Sequence, residues 1–560
     1  MSTAEMTSDL TTQLGEGERT SPGPPEAKRS LRRFVPYLVF AFCVSLYFLP
    51  FTRLLLAETN EGTFVEGAVR TVHGQLLGRD FFEVMGPGTF YWLALFFKLF
   101  GVTFLASRIC LFVTSLGTAL SLYFLSRRVC RSYQWLPCII VFATYFGGRW
   151  PTINHHVDSN CFALLAVVCM VRWHDSRSNW LLVAAGALAG TAMLILQPKG
   201  ILLLLAFLVW LWIQHRRQST PLTALAWVAG GSLGVVASML GYFWSHGALR
   251  DLIYANVIWP SRNYGAVNSV HYAFRLRECF DHWIVPGHGF NWTVGMASVL
   301  VIPFLFVAAL PALTLLLGAR NGLKAMRMEI VLYWLAGSAL WLSEMHRKDI
   351  AHLIFGSPLL VILCIFYLQQ RRTRAYGLTL QALSIASVCL AACTLILALY
   401  THSTITRAGQ VNISTPDPVL ASIDEHVPSG GELFIYPYSP MYYFLSNTSN
   451  PTRYSFLVYN YYTPAQFEEV IRSLDQHQVK YVLWDKNFQA KVIDVLFPSA
   501  HPDHLIMEPY LESHYRPVWV HDGVRLLERN YDGPHPEAAG TRNLMSTPIR
   551  GSNERLRAGH

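Results

Sequence analysis

The chain has 560 residues, of which 52% are hydrophobic and only 14% are charged, whereas soluble domains carry about 25% charged residues. This composition, with its many apolar runs of about twenty residues, excludes a soluble globular protein and predicts a polytopic α-helical membrane protein. The formal net charge of +9 does not indicate nucleic-acid binding, because the basic residues cluster at one end of each apolar run.

These short basic clusters predict the orientation of the chain, because such clusters stay on the cytoplasmic side of a membrane. About 11 transmembrane helices satisfy them, with the N-terminus inside and the C-terminus outside. The clusters are Lys28/Arg29/Arg32/Arg33, Arg127/Arg128/Arg131, Arg172/Arg177, Arg216/Arg217, Arg320/Lys324/Arg327 and Arg371/Arg372/Arg374. The predicted spans are 34–56, 104–126, 134–150, 158–173, 179–196, 200–214, 221–244, 292–317, 328–343, 351–368 and 376–400.

The composition divides the chain into four parts. Both ends are polar and rich in residues typical of disorder, so residues 1–33 are a predicted disordered cytoplasmic N-terminus and residues 531–560 a disordered tail. Residues 34–400 form the transmembrane domain, with large outer loops at 57–103 and 245–291. Residues 401–530 are predicted to fold as a small extracytoplasmic α/β domain.

The first outer loop is too structured for a plain connector. A helix is predicted from Asn60, lying flat on the membrane surface with its apolar residues on one side. Glu61 falls in its first turn, where the positive helix end favours a negative charge. This placement suits a general base, although helix capping alone would also explain it. Residues 87–100 predict a re-entrant or interfacial helix, too short to cross the bilayer.

Two more residues of this region are candidates. Asp80 is either a second catalytic carboxylate or a turn residue, since Gly78 precedes it and Gly86-Pro87-Gly88 follows. Arg108 lies just inside the second span, and an ionisable residue at that depth is a functional candidate by default. Alternatively, Arg108 could reach outward to the interface or pair structurally with Asp80 or Glu61.

Further candidates occupy the later outer loops. A lysine in the outer turn LQPKG can bind a lipid phosphate or reach outward to the interface. Basic residues in the short outer loop EMHRKDIAHL run against the positive-inside rule, and arginine suits phosphate recognition. Adjacent histidines in PTINHHVDSN have poor spacing for a single zinc site. Together these residues predict an outward site for an anionic ligand: His155, His156, Lys199, Arg262, Arg347 and His352.

In the C-terminal region, GELFIYP and VKYVLWD read as strands. Between them a helix is predicted, with a capping box at Thr463 and Gln466 and with Pro464 at its first position. The dense aromatic residues between 435 and 462 could stack on sugar rings, but the commoner role of such residues is to form the core of a domain.

These motifs resemble those of GT-C glycosyltransferases of the glycosyltransferase family 39 type, a group that includes protein O-mannosyltransferases and bacterial lipid A aminoarabinose transferases. The resemblance covers roughly residues 34–370. Its acidic motif has Asn60 where many relatives have Asp, which leaves Glu61 to act alone or with Asp80. The matching residues are Asn60-Glu61-Gly62, Gly74 to Asp80, Gly86-Pro87-Gly88 with Tyr91, Lys98 to Gly101, and Arg108.

The resemblance implies a membrane glycosyltransferase that moves a sugar from a polyprenyl-phosphate-linked donor to a lipid, glycan or protein acceptor. Glu61, with Asp80, would supply the base for an inverting displacement, and the cationic residues above with Arg108 would bind the donor phosphate. No metal or cofactor is required, and no DxD motif is present. The rival interpretations are a transporter or flippase for a lipid-linked saccharide, and a non-catalytic scaffold.

The expected location is the bacterial inner membrane, with the C-terminal domain in the periplasm. Sequons at Asn291 and Asn412 leave a eukaryotic glycoprotein open.

Overall fold

The computed structural model describes residues 26–55, 60–145, 152–217, 220–264, 308–319, 327–346, 350–370, 374–459, 461–488 and 505–530. The predicted disordered tail, residues 1–25 of the predicted disordered N-terminus, most of the predicted span 292–317, and Arg347 therefore lie outside the described residues. Residues 26–33, also predicted to be disordered, are helical.

Helices dominate the chain up to residue 400. In chain order they are α1 (Glu26–Phe48), α2 (Glu61–Val72), α3 (Pro87–Phe100), α4 (Phe104–Val129), α5 (Leu136–Tyr145), α6 (His155–Ser176), α7 (Asn179–Ile195), α8 (Gln197–Arg216), α9 (Thr223–Ser245), α10 (Leu249–Ile253), α11 (Ala308–Ala319), α12 (Met328–Leu342), α13 (Ile350–Phe355), α14 (Pro358–Gln370) and α15 (Arg374–Leu399). Two π-helical turns, Tyr254–Ile258 and Pro260–Tyr264, follow α10.

Five of the helices in the described ranges are long and apolar enough to cross a membrane, namely α1, α4, α8, α9 and α15. Four further apolar helices, α7, α11, α12 and α14, are shorter. The five long apolar helices are typical of a multi-pass membrane protein. The total of about 11 spans stays a prediction.

The core of the helical region lies where α6, α7 and α8 meet α12 and α14. Its largest buried side chains are Trp173, Trp210 and Tyr333. Two of them are anchored by hydrogen bonds to main-chain carbonyls: Trp210 Nε1 donates to Met328 O at 2.7 Å and the Tyr333 hydroxyl donates to Leu125 O at 3.0 Å. Such bonds satisfy the polar tips of buried aromatic residues.

Helix α2 begins at Glu61 with Asn60 as its N-cap residue, as predicted, but its predicted place on the membrane surface is wrong. Its apolar side packs in a protein core with Phe64 and Ala68 fully buried. Its other side is buried as well, since Arg70 donates to the carbonyl oxygens of Asn450 and Thr452 in the C-terminal region. A helix on the membrane surface would leave that polar side in water, so α2 is instead an internal element.

Helix α3 has the bounds that the sequence predicts. Pro87 occupies its first turn, where a missing N–H costs nothing. The helix packs on α2, α4 and α7, and leaves Leu95, Leu99 and Phe100 exposed. This apolar exposed strip suits contact with lipid.

The C-terminal region has two sheets. Strands β1 (His402–Thr406) and β2 (Gly409–Ile413) form an antiparallel hairpin. Strands β3 (Leu433–Tyr436), β4 (Tyr481–Asp485), β5 (Tyr515–His521) and β6 (Val524–Arg529) form a sheet of order β3-β4-β6-β5, in which only β3 and β4 are parallel. The helices are α16 (Pro418–His426), α17 (Met441–Leu445), α18 (Pro464–Gln476), α19 (Lys486–Phe488) and α20 (Met507–His514).

The two predicted strands are confirmed as β3 and β4, and the predicted helix is confirmed as α18 with its capping box. The aromatic segment contributes to the core of the domain, because Tyr436, Tyr454, Tyr459 and Tyr462 are buried there. The hairpin β1–β2 joins this region to the membrane helices: Asn412 N donates to Arg53 O at 2.7 Å and Phe104 N donates to Ala408 O at 2.8 Å.

Candidate active site

A buried ion pair joins the first outer loop to the second predicted span. Glu61, the first residue of α2, is 0% exposed, and Arg108 of α4 is 3% exposed. Arg108 Nη2 lies 3.0 Å from Glu61 Oε2, and Nη1 contacts Oε1, so the pair is bidentate. Charge-assisted bidentate pairs are strong and orient both groups. The structure thus selects, among the alternatives for Arg108, pairing with Glu61.

Main-chain groups complete this pair. Ile153 N donates to Glu61 Oε1 at 3.0 Å, and Arg108 Nη2 also donates to Leu54 O at 3.1 Å. In the described part of the chain, Glu61 Oε1 accepts two hydrogen bonds while Oε2 accepts one. Because a carboxylate oxygen can accept two, Oε2 retains the capacity to accept a further donor.

A second buried cluster centres on Glu344, just beyond the end of α12. Lys199 Nζ lies 2.7 Å from Glu344 Oε1, and His156 Nδ1 lies 2.8 Å from Oε2. Lys199 also donates to Asn160 Oδ1 at 2.7 Å, and Asn160 in turn donates to Phe355 O. Each of these polar side chains is at most 2% exposed. This network connects α6, α8, α12 and α13.

Further histidines surround His156. The ring centroids of His155 and His352 lie 4.0 and 4.8 Å from that of His156, and His346 lies at 6.3 Å. In the described ranges, no group of three or more His, Cys, Asp or Glu side chains has the arrangement to hold a metal ion. The cluster therefore offers several nitrogen donors around one buried carboxylate.

The two clusters adjoin through the start of α6. The main chain of Ile153 contacts Glu61, and two residues later the ring of His155 lies 5.3 Å from that of Phe64 on α2. The next residue, His156, contacts Glu344 of the second cluster. The structure thus brings Glu61, Arg108, His156 and Lys199, which are buried, into one polar region with the half-buried His155 and His352.

Asp80 is not part of this region but closes a turn. Its two carboxylate oxygens each accept from Arg79 at 2.9 Å, and Leu76 N donates to Oδ2 at 2.8 Å. The hydrogen bonds from the Arg79 guanidinium hold the pKa of Asp80 below its ordinary value. These contacts match the turn-residue alternative of the sequence analysis.

Two other predicted residues lie elsewhere or cannot be placed. Arg262 is exposed on the π-helical turn Pro260–Tyr264. Arg347 lies outside the described residues, so its place in the predicted outward site stays a prediction.

Two of the cationic residues predicted to bind an anionic ligand have carboxylate partners. Arg108 and Lys199 are buried, and each is paired with a carboxylate. Sequence reasoning missed Glu344 as the partner of Lys199. The signal was a lone acidic residue at the end of an apolar segment, WLSEMH, where an ionisable side chain needs a partner.

Comparison with known proteins gives one family match. Residues 85–244 match the family model described as dolichyl-phosphate-mannose-protein mannosyltransferase. The matched stretch contains Arg108, His156 and Lys199 but begins after Glu61. A search of curated proteins found no match.

Solved structures extend the likeness to most of the chain. The archaeal oligosaccharyltransferase AglB from Archaeoglobus fulgidus, in complex with an inhibitory peptide and a dolichol-phosphate, aligns with a TM-score of 0.51 and 11% identity over 90% of this chain and 75% of AglB. ArnT from Cupriavidus metallidurans bound to undecaprenyl phosphate aligns with a TM-score of 0.48 and 11% identity over 90% of this chain and 99% of ArnT. The family match and the fold shared with AglB confirm the predicted resemblance to the GT-C glycosyltransferases.

Proposed function

We propose that this protein transfers a sugar from a polyprenyl-phosphate-linked donor to an acceptor on the extracytoplasmic face of the membrane. The family match supports a phosphate-activated, lipid-linked donor, because the family is named for dolichyl-phosphate-mannose. The observation that carries the proposal is that the start of α6 links the two clusters, since Ile153 N donates to Glu61 while His156, three residues later, contacts Glu344. It brings a carboxylate for proton transfer next to the nitrogen donors that a phosphate requires.

In this proposal Glu61 is the general base. Its Oε2 accepts the proton of the acceptor hydroxyl while the hydroxyl oxygen attacks the anomeric carbon of the donor. The bond between that carbon and the phosphate oxygen breaks, the configuration inverts, and polyprenyl phosphate leaves. Arg108 and Ile153 N hold the carboxylate in place, so the base is oriented before the acceptor arrives.

The Glu344 cluster has the second role in the proposal. Lys199 and the histidines 155, 156 and 352 would donate to the departing phosphate, whose charge needs compensation in a buried site. Glu344 positions Lys199 by an ion pair and His156 by its contact with Nδ1, and the phosphate would take over part of these contacts. Asp80 would support the turn of the first outer loop rather than exchange protons.

The test is a transfer assay with the purified full-length protein and a panel of polyprenyl-phosphate hexoses and pentoses. We expect Glu61→Gln to lower turnover by about 100-fold or more, the usual contribution of a general base. Glu469→Gln is the matched control, because Glu469 also pairs with an arginine, Arg453, but is more exposed and lies in the C-terminal region. Its turnover should stay at the wild-type rate.

Folding must be separated from chemistry, because Glu61→Gln leaves the Arg108 charge buried with a neutral partner. The thermal unfolding midpoint of each variant is therefore measured, and turnover is compared below the lowest midpoint. Wild-type turnover by Glu61→Gln would remove this residue from the mechanism. Passage of unmodified lipid-linked sugar across sealed vesicles, without transfer, would favour a transporter instead.

A further inference from the structure

A cavity of about 300 Å³ lies between α2 and the C-terminal region, away from the two clusters described above. Its α2 side is formed by Glu66, Val69, Arg70 and His73, which share one face of the helix. Glu61, Phe64 and Ala68 lie on another face. The cavity is thus separated from the Glu61 site by the thickness of a helix, and its volume is at the lower end of the range for ligand sites.

The two arginines of the cavity wall are engaged by the protein itself. Arg70 Nε lies 2.8 Å from Glu66 Oε1, and Arg70 Nη2 donates to Thr452 O at 2.8 Å. Arg407 pairs with Asp424 at 2.9 Å, and its remaining nitrogens donate to main-chain carbonyl oxygens. Because both charges are compensated, the cavity lacks the free cation that a phosphate or carboxylate ligand would need.

Other polar groups provide the remaining binding capacity, among them Glu66 Oε2, which forms no hydrogen bond in the described part of the chain. In the described part of the chain, the side chain of His73 and the amide nitrogen of Gln75 form no hydrogen bond. Across the cavity lie the amide of Asn447 and the hydroxyls of Thr448 and Ser449. Each makes one hydrogen bond within the protein: Asn447 Nδ2 donates to Ser429 Oγ at 2.8 Å, Thr448 Oγ1 bonds with Ser446 Oγ at 3.0 Å, and Ser449 Oγ donates to Gly431 O at 3.4 Å. The amide nitrogen of Gln75 can donate, and the amide of Asn447 and the two hydroxyls can both donate and accept. Val69 and Phe444 add an apolar surface to the same wall. This combination matches a ligand with many hydroxyls and an apolar face.

We propose that this cavity binds a neutral saccharide unit of the acceptor, and hence that the acceptor is a glycan. This inference rests on the proposed function. Residues 69–73 follow Glu61 by 8 to 12 positions on α2, which is roughly 12–18 Å at about 1.5 Å per residue. The cavity therefore binds a unit further along the glycan and leaves the reacting hydroxyl at Glu61.

Direct binding tests the inference without the transfer reaction. The full-length protein in nanodiscs is titrated with mannobiose, maltose and lactose, and binding is followed by saturation-transfer NMR. We expect at least one of these disaccharides to bind, and Thr448→Trp, which fills the cavity, to weaken its binding by tenfold or more. Gln75→Ala removes one donor and should weaken it by a smaller factor. Gln476→Trp, on the exposed side of α18, is the control and should bind as the wild type does.

The outcomes separate this inference from the proposed function. Failure of all three disaccharides to bind, or binding that Thr448→Trp leaves unchanged in a folded protein, would overturn the inference. If the inference is overturned but the protein transfers the sugar to a peptide acceptor, the proposed function still stands. Saccharide binding without any donor-dependent transfer would contradict the proposed function and leave the inference about the cavity standing.

Discussion

Glu61 and Glu344 illustrate how individual residues define this site. Each is a fully buried carboxylate, and each is matched by a cation from a different helix, Arg108 and Lys199 respectively. Removing one partner of a buried pair leaves an uncompensated charge and costs about 3–5 kcal/mol. These pairs therefore fix the relative positions of the helices as well as the geometry of the proposed reaction.

Glu83 provides a pH-dependent prediction at the residue level. It lies in the first outer loop and is 1% exposed. Burial raises the pKa of its carboxyl from an ordinary 4.5 to about 8, and the nearby Glu66 carboxylate adds to the increase while Ser455 opposes it. Because the pKa is higher in the folded state, the stability that the neutral carboxyl provides is complete below about pH 4.5 and is lost as the pH rises to about 8.

We therefore expect Glu83→Gln, which is neutral at every pH, to gain stability relative to the wild type as the pH rises. The difference in thermal unfolding midpoint should be larger at pH 8 than at pH 5. Asp80→Asn is the contrasting variant, since the pKa of Asp80 is lowered in the fold. A difference between Glu83→Gln and the wild type that is equal at both pH values would contradict the prediction.

At the level of elements, α2 is held closely between α3 and α17. A Cβ atom at Gly62 would lie 2.3 Å from the main-chain nitrogen of Met441. This contact is with backbone, so it cannot be relieved by a side-chain rotation. Glycine is therefore required here by close packing and not by its backbone conformation.

We expect Gly62→Ala to lower the free energy of unfolding by about 1–3 kcal/mol, the usual cost of overpacking. Gly230→Ala on α9 is the control, because a Cβ atom there meets nothing within 4 Å. That variant should be neutral, or more stable by about 0.5–1 kcal/mol, since alanine is the better helix former. The measurement is thermal unfolding in detergent, and equal stability of the two variants would argue against close packing at Gly62.

For the whole molecule, the basic clusters predict an orientation that the packing does not test. They place the N-terminus in the cytoplasm and the C-terminal region outside. We expect alkaline phosphatase fused after residue 530 to be active in a bacterial host. The same enzyme fused after Arg217, in a predicted cytoplasmic turn, should be inactive. The reverse pattern would invert the orientation and move the proposed reaction to the cytoplasmic face.

The sequence alone determined the elements that depend on local pattern. Apolar runs indicated membrane helices, Asn60 and Pro87 marked the starts of α2 and α3, and the capping box at Thr463 located α18. Each of these signals acts within one or two helical turns. The motifs from Asn60 to Arg108 likewise indicated a resemblance to GT-C glycosyltransferases, which the family match over residues 85–244 supports.

Only the tertiary structure decided which charged groups meet. Glu61 and Arg108 are 47 residues apart, and Lys199 and Glu344 are farther apart still, so no local pattern specifies either pair. The local pattern does not specify the surroundings of α2 either, because its amphipathic sequence suits a membrane surface as well as a protein core. The polar side of α2 met the C-terminal region more than 300 residues later. Burial of charge depends on such long-range packing, because each partner must be brought to the other by the fold.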